Sequence, residues 1–204
     1  GTLQERKNAL SIVKAIHGTS YSLVLVGGEK EYAKKIHAYV EKHGLEKQVF
    51  FLKDIHVTEL AIIYQLATVF CYPSICEGFG IPIIEALFSK TAVITSFGSC
   101  FPEAAGPDSV YVDPLDVDSI RKEFQRLFTD DDLRKTIIEK GYAFVQKFTD
   151  PKVAENVYQV YSSLLKSDKK EISEYSTLGK NKISALLITY NEIHNIDEIL
   201  KNIA

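Results

Sequence analysis

The feature that most limits the fold of this chain is the regular alternation of short apolar runs with segments of helical period. The first apolar run, 21–26, is closed by a glycine pair, and residues 32–43 then keep apolar side chains on one helical face. Further strands are predicted at 48–52, 69–72, 92–95 and 110–112. Strands that alternate with helices are typical of βαβ units. The sequence therefore predicts an α/β fold, with a Rossmann-like parallel sheet that carries helices on both faces.

The second half of the chain changes character. Three helices are predicted to begin near Asp116, Asp130 and Asp150, each an acceptable N-cap. Residues 167–181 are polar and aperiodic, which indicates a linker, and a new strand-like run follows. We expect a domain at 1–166, a linker at 167–181 and the truncated start of a second unit at 182–204. The alternative is that this last segment completes the first domain.

Charge and cysteine content exclude several classes of protein. The chain has 204 residues and a net charge of −3, and no basic run is interleaved with aromatic residues, so a nucleic-acid partner is not expected. Three cysteines do not make a disulfide framework, and the five histidines lack zinc spacing, so we expect no metal and a cytoplasmic location. No run reaches the ~18 apolar residues of a membrane span. Peripheral association with a membrane stays open.

The most informative stretch is the loop PSICEGFGIPIIEA at 73–86, between a predicted strand and a helix. At the carboxyl end of a parallel strand such a loop is placed to bind a ligand. The N–H groups of Gly80, Ile81, Ile83 and Ile84 are expected to lack partners within the helix, and the helix dipole favours an anion there. The loop therefore predicts a phosphate site.

Two glutamates bracket this loop. The carboxylates of Glu77 and Glu85 could accept hydrogen bonds from sugar hydroxyls. The plainer alternative is that Gly78-Phe79-Gly80 is only a turn and that Glu85 is a favourable charge in the first helical turn. The glycine spacing fits neither a dinucleotide-binding motif nor a P-loop.

The order of these segments resembles a known family. Gly1-Thr2, Arg6-Lys7-Asn8, LVLVGG, VFFL, PSICEGFGIPIIEA, Pro102-Glu103 and Val112-Asp113-Pro114 follow one another. This order is similar to the C-terminal lobe of glycosyltransferase family 4, which comprises retaining, nucleotide-sugar-dependent enzymes of the GT-B fold. The resemblance extends over the first predicted domain, and its most specific element is the pair of glutamates around Gly-Phe-Gly.

The resemblance implies roles for the loop residues. Glu85 would bind the ribose of the donor nucleotide, and Glu77 would face the transferred sugar as a catalytic residue. Gly78, Phe79 and Gly80 would offer backbone N–H groups to the diphosphate and the sugar.

The resemblance also implies a cationic part of the site. Lys7 would act catalytically by neutralising the diphosphate as it leaves. Arg6 is a further donor-binding candidate, with a structural or solvent-exposed role as the alternative, and Ile81 would add its N–H at the helix start. In the family that this sequence resembles, many members carry an arginine after the first glycine, where Thr2 stands here, so this part of the usual cationic clamp is not predicted from the sequence. The segment 52–55 would flank the nucleobase through backbone groups.

The function implied is that of the donor lobe of a retaining glycosyltransferase in glycan or polysaccharide biosynthesis. The nucleotide-diphosphate sugar would be a substrate, with no cofactor, and a glycan or lipid-linked acceptor would be held through an N-terminal lobe that precedes Gly1. Without that lobe the chain is expected to be inactive. A nucleotide-binding module without turnover and a GT-B-like sugar-nucleotide epimerase are the alternatives. Residues 183–196 separately resemble the start of a family 2 glycosyltransferase of the GT-A fold.

Overall fold

The computed structural model describes residues 2–175, with side chains through residue 164. Two short 3-10 helices lie at Glu5–Lys7 and Gln146–Phe148. The strands found in this part of the chain are β1 (Leu23–Val26), β2 (Val49–Leu52), β3 (Val69–Tyr72), β4 (Ala92–Ser96) and β5 (Val110–Val112). Its α-helices are α1 (Ala9–Ile16), α2 (Glu31–His43), α3 (Val57–Leu66), α4 (Ile81–Phe88), α5 (Phe101–Ala105), α6 (Val117–Thr129), α7 (Asp131–Val145) and α8 (Asp150–Tyr175).

All strand pairs in the described part of the chain are parallel, as the alternating pattern predicts. Strand β1 pairs with β2, and β3, β4 and β5 form a second sheet in that order. Within the described residues these two groups of strands are not hydrogen-bonded to each other. The segment beside β1 forms only an isolated bridge between Thr2 and Gly28, because the chain turns into the 3-10 helix Glu5–Lys7 within a few residues.

Strand β4 lies at the centre of the packing. Ala92 and Ile94 are fully buried in a cluster with apolar residues of α1, α2 and α6, whereas Val93 is fully buried in a second cluster with residues of α3, α4 and α5. Successive side chains of a strand point to opposite faces. Helices therefore cover both faces of this sheet, which confirms the prediction.

The helix starts follow local capping chemistry. The Asp116 carboxylate accepts hydrogen bonds from the N–H groups of Asp118 and Ser119, and Asp130 accepts one from Leu133, so α6 and α7 begin where the sequence predicts. Helix α2 ends at Gly44 in the left-handed conformation, with φ of 66°.

Helix α8 differs from its prediction. It continues through Tyr175, so residues 167–175 are helical and not irregular. Polarity alone does not end a helix, and the chain contains no glycine or proline from residue 152 to residue 178.

One compact unit comprises Gly1–Val153. Residues 176–181 of the predicted linker and the fragment 182–204 lie outside the described residues and stay predictions, and so does the domain limit at 166. No helix in the described part of the chain combines the length and apolar character of a membrane span.

Candidate active site

The site is built on the loop that leaves β3 and enters α4. Ser74 in this loop is fully buried, and its carbonyl oxygen accepts a hydrogen bond of 2.6 Å from the Ser96 hydroxyl at the end of β4. Gly80 is the N-cap of α4 with φ of +100°, a conformation that side chains disfavour, and Pro82 lies in the first turn. The loop is thereby fixed at the carboxyl end of two parallel strands.

Four consecutive amides of this loop are open. Within the described residues, the N–H groups of Gly78, Phe79, Gly80 and Ile81 have no protein acceptor. The prediction for Ile83 was wrong, because its N–H donates to the Gly80 carbonyl oxygen at 2.9 Å. A tight first turn of this kind is common at helix ends, and it gives a partner to one of the amides that the sequence analysis expects to be free. The remaining run of donors suits an anion.

The segment Arg6-Lys7-Asn8 is fastened beside the loop through the backbone. The Arg6 carbonyl oxygen accepts a 2.7 Å hydrogen bond from the N–H of Ile75. Asn8 is buried, and its side-chain amide donates to the carbonyl oxygens of Pro73 at 3.2 Å and Pro114 at 2.5 Å. Its left-handed backbone, with φ of 56°, is one that asparagine tolerates. Two cationic residues are thus held next to the loop.

The Glu77 carboxylate is surrounded by donors. Its Oε2 lies 2.5 Å from Nη1 of Arg6, and its Oε1 accepts from the Tyr72 hydroxyl at 2.5 Å and lies 3.1 Å from Oγ of Ser74. The side chain is only 10% exposed. Partial burial acts to raise the pKa of Glu77, but the hydrogen bonds from Arg6, Tyr72 and Ser74 outweigh it and hold that pKa below its ordinary value. Glu77 is therefore a fixed, ionised acceptor.

Lys7 is partly buried and lies near the same carboxylate. Burial lowers the pKa of its ammonium, the charge of Glu77 acts in the opposite direction, and the charge of Arg6 lowers it further. Among the described residues no carboxylate lies within 4 Å of the Lys7 ammonium. An ammonium that has lost part of its hydration without gaining a counter-ion is suited to bind an anion.

Glu85 lies one turn inside α4 and is exposed. Its Oε2 accepts a 3.0 Å hydrogen bond from the hydroxyl of Tyr64, a buried residue near the end of α3. Burial, then the charge of Glu85, raises the pKa of Tyr64 well above its usual value, so the tyrosine keeps its proton and acts as the donor. Glu85 does not approach the Arg6–Glu77 pair within hydrogen-bond distance.

The Phe79 side chain anchors the loop. Its ring packs edge-on against Phe148, with 5.7 Å between the ring centroids, so the side chain is engaged in a contact within the protein. Sequence reasoning missed Tyr64, Tyr72 and Ser74. The signal that could have found the tyrosines is that a buried phenol normally has a hydrogen-bond partner. Within the described residues, no group of three or more histidine, cysteine or acidic side chains is arranged to hold a metal.

These features define a class of protein: a parallel α/β unit whose strands end, at their carboxyl side, at a site with open loop amides, cationic side chains and two carboxylates, a combination suited to a phosphorylated ligand. The comparison with known proteins gives the family. The model of the family "Glycosyl transferases group 1" matches residues 1–144, so the chain belongs to this family, as the resemblance predicts.

Two curated relatives are both named as O-antigen chain mannosyltransferases. The O-antigen chain mannosyltransferase RfbU of Salmonella typhimurium is 39% identical over 57% of this chain and 33% of its own length. The O-antigen chain mannosyltransferase B of Escherichia coli is 30% identical over 73% of this chain and 41% of its own length. The chain thus spans between a third and about two fifths of these relatives.

Solved structures share the fold. The C-terminal domain of the group 1 glycosyl transferase LpcC from Francisella tularensis has a TM-score of 0.65 and 27% identity, over 72% of this chain and 82% of that domain. Sucrose-phosphate synthase from Thermosynechococcus elongatus has a TM-score of 0.72 and 28% identity, over 80% of this chain and 44% of the synthase. Anabaena HepE in complex with UDP and glucose, at 20% identity and a TM-score of 0.71, shows the fold alone.

Proposed function

We propose that this chain is the donor lobe of a retaining glycosyltransferase that transfers mannose from a nucleoside diphosphate to a growing glycan. Membership of the family supports sugar transfer, and the names of the relatives support mannose and an O-antigen-type product. The three cysteines are free thiols, which supports activity in the reducing cytoplasm.

One observation carries the proposal. The open amides of residues 78–81 lie at the N-terminus of α4, and the loop they belong to is hydrogen-bonded to the segment that carries Arg6 and Lys7. Several N–H donors, a helix dipole and an ammonium that has no counter-ion among the described residues form a suitable environment for the two negative groups of a diphosphate. Arg6 adds positive charge beside Glu77.

The chemistry follows from this environment. As the bond between the anomeric carbon and the diphosphate oxygen breaks, negative charge grows on that oxygen, where the amides and Lys7 stabilise it. The acceptor hydroxyl oxygen bonds to the anomeric carbon, and its proton passes to the departing phosphate. Glu77 is already ionised and accepts hydrogen bonds from the sugar, whereas Glu85 accepts them from the ribose hydroxyls.

The acceptor is proposed to bind to a second lobe, because GT-B enzymes react in the cleft between two lobes and residues 1–153 form one compact unit. On this proposal the chain binds the donor but does not transfer its sugar. Acceptor-dependent transfer by the 204-residue chain alone would show that its own residues complete the active site.

Calorimetric titration of the chain with nucleotides would identify the donor. The titrated ligands are UDP, GDP and ADP, each also as its mannose and its glucose conjugate. We expect one base to be preferred, and its mannose conjugate to bind more tightly than its glucose conjugate. A glucose preference would contradict the assignment of mannose and leave the donor lobe standing, whereas failure of every nucleotide to bind would contradict the donor lobe itself.

A further inference from the structure

An aromatic array connects the two glutamates of the site. The ring of Tyr64 contacts that of Phe70 edge-on, with 5.1 Å between their centroids and 79° between their planes. Phe70 in turn stacks with Tyr72 at 5.7 Å and 18°. The two ends of this array are hydroxyl groups, and each donates to one of the glutamates: Tyr64 to Glu85 and Tyr72 to Glu77.

The array is a rigid support. Tyr64 is buried, Tyr72 is the last residue of β3, and the Tyr72 carbonyl oxygen accepts a 3.0 Å hydrogen bond from the Thr95 hydroxyl of β4. A glutamate has three rotatable side-chain bonds, and on a loop or an exposed helix face it samples many rotamers. A hydroxyl on a packed ring that donates to one carboxylate oxygen removes most of that freedom before a ligand arrives.

The direction of both hydrogen bonds is fixed. Burial raises the pKa of each tyrosine well above its ordinary value, and the adjacent carboxylate raises it further. Each tyrosine is therefore the donor and each glutamate the acceptor. Only one oxygen of Glu85 has a protein partner among the described residues, so its Oε1 is available to a ligand hydroxyl.

We propose that Tyr72 and Tyr64 are separate positioning residues for the two halves of the donor: Tyr72 orients Glu77 toward the sugar, and Tyr64 orients Glu85 toward the nucleoside. This inference rests on the proposed function, because it takes from it which half of the donor each glutamate meets. It adds that the sugar and nucleoside contacts can be weakened one at a time by removing a single hydroxyl from either end of the array.

The experiment compares three variants that each lose one phenolic oxygen: Tyr72→Phe, Tyr64→Phe and the control Tyr111→Phe. Tyr111 donates to the Gly106 carbonyl oxygen and contacts neither glutamate. Calorimetry measures GDP and GDP-mannose, with the UDP and ADP pairs in parallel. For the pair that binds the unaltered chain, Tyr72→Phe should weaken binding of the sugar conjugate by about tenfold, because the lost hydrogen bond is to a charged group. Binding of the diphosphate should stay unchanged, because it lacks the sugar.

Tyr64→Phe should weaken both ligands of the pair by a similar factor, since both contain the ribose, and Tyr111→Phe should change neither. Thermal unfolding of each variant reports whether the lobe is intact. Equal loss of both ligands in Tyr72→Phe, or a loss in Tyr111→Phe as large as in the other two, would overturn the inference. If the unaltered chain binds no nucleotide, both the proposed function and this inference are contradicted. If it binds a nucleotide and the Tyr72 and Tyr64 variants bind equally well, only this inference is contradicted.

A double substitution separates positioning from general support of the fold. If Tyr72 acts through Glu77, the chain that carries Glu77→Gln has already lost the sugar preference, and Tyr72→Phe added to it should change that preference by less than twofold. If Tyr72→Phe lowers the sugar preference as much in the Glu77→Gln chain as it does on its own, Tyr72 supports the loop independently of Glu77. That result would contradict the inference.

Discussion

Nη1 of Arg6 lies 2.5 Å from Oε2 of Glu77, and this ion pair joins the start of the chain to the loop between β3 and α4. The same guanidinium nitrogen donates to the Cys76 carbonyl oxygen at 3.1 Å. Arg6 thus holds both the side chain of Glu77 and the backbone just before it. The pair is a structural link between two parts of the site that are far apart in sequence.

This relationship predicts a pH dependence of stability. The pKa of Glu77 is lowered in the folded protein, so its ionised form stabilises the fold above the ordinary carboxyl pKa of 4.5, and that contribution is lost as the pH falls through the lowered pKa. Glu77→Gln should therefore be less stable than the unaltered chain at pH 7, and the difference should shrink below pH 4.5. Urea unfolding at both pH values measures it.

The matched control is Glu46→Gln, at an exposed glutamate outside the site. It should leave the stability at pH 7 nearly unchanged. A Glu77→Gln deficit that stays constant from pH 7 down to pH 3 would contradict the assignment of this stabilisation to the ionised form of Glu77.

Glu85→Ala should weaken nucleotide binding by ~1.5–3 kcal/mol, because an ionised carboxylate that accepts ribose hydrogen bonds is lost. The fold should stay intact, since Glu85 is exposed. Calorimetry with the preferred nucleoside diphosphate measures the loss, and Glu46→Ala serves as the control. An unchanged dissociation constant would return Glu85 to the role of a favourable charge near the start of α4.

Lys7→Ala should weaken a nucleoside diphosphate far more than the corresponding nucleoside, because the ammonium acts on phosphate charge. Added salt should reduce the difference between Lys7→Ala and the unaltered chain. Lys47→Ala, at an exposed lysine, is the matched control. A uniform loss for both ligands would indicate that Lys7 supports the loop and makes no direct contact with phosphate.

The two loop glycines should respond differently to alanine. A Cβ on Gly80 would lie 3.1 Å from Cδ1 of Ile83, and the backbone there has φ of +100°, whereas a Cβ on Gly78 would meet no atom within 4 Å. Gly80→Ala should lower the free energy of unfolding by ~1–2 kcal/mol, and Gly78→Ala by less than about half of that. Chemical denaturation of both variants checks this, and equal losses would contradict the special conformation of Gly80.

Much of the fold could be predicted because it is encoded locally. Strand β3 has the predicted limits and helix α4 begins at Ile81 as predicted, since an apolar run ended by Pro73 and a glycine followed by Pro82 are signals within a few residues. Helix α8 extends past its predicted end because polar residues without glycine or proline allow either a linker or an exposed helix.

The candidate site could be predicted only in part for the same reason. The open amides follow from the Gly78-x-Gly80 loop before a helix, which is a local pattern. Glu77 contacts Arg6, and Glu85 contacts Tyr64, in each case from a different segment of the chain. No local sequence pattern in these segments identifies the partner residue. The family resemblance pointed to the glutamates and to Lys7, but not to the tyrosines that hold the carboxylates.

On the proposed function, the loop at 78–81 and Lys7 bind the diphosphate of a nucleotide sugar. The most direct test is calorimetric titration of the chain with nucleoside mono- and diphosphates that carry the same base. The diphosphate of the preferred base should bind at least about tenfold more tightly than its monophosphate, because the second phosphate adds charge-assisted hydrogen bonds. Equal affinities for the two ligands would contradict it.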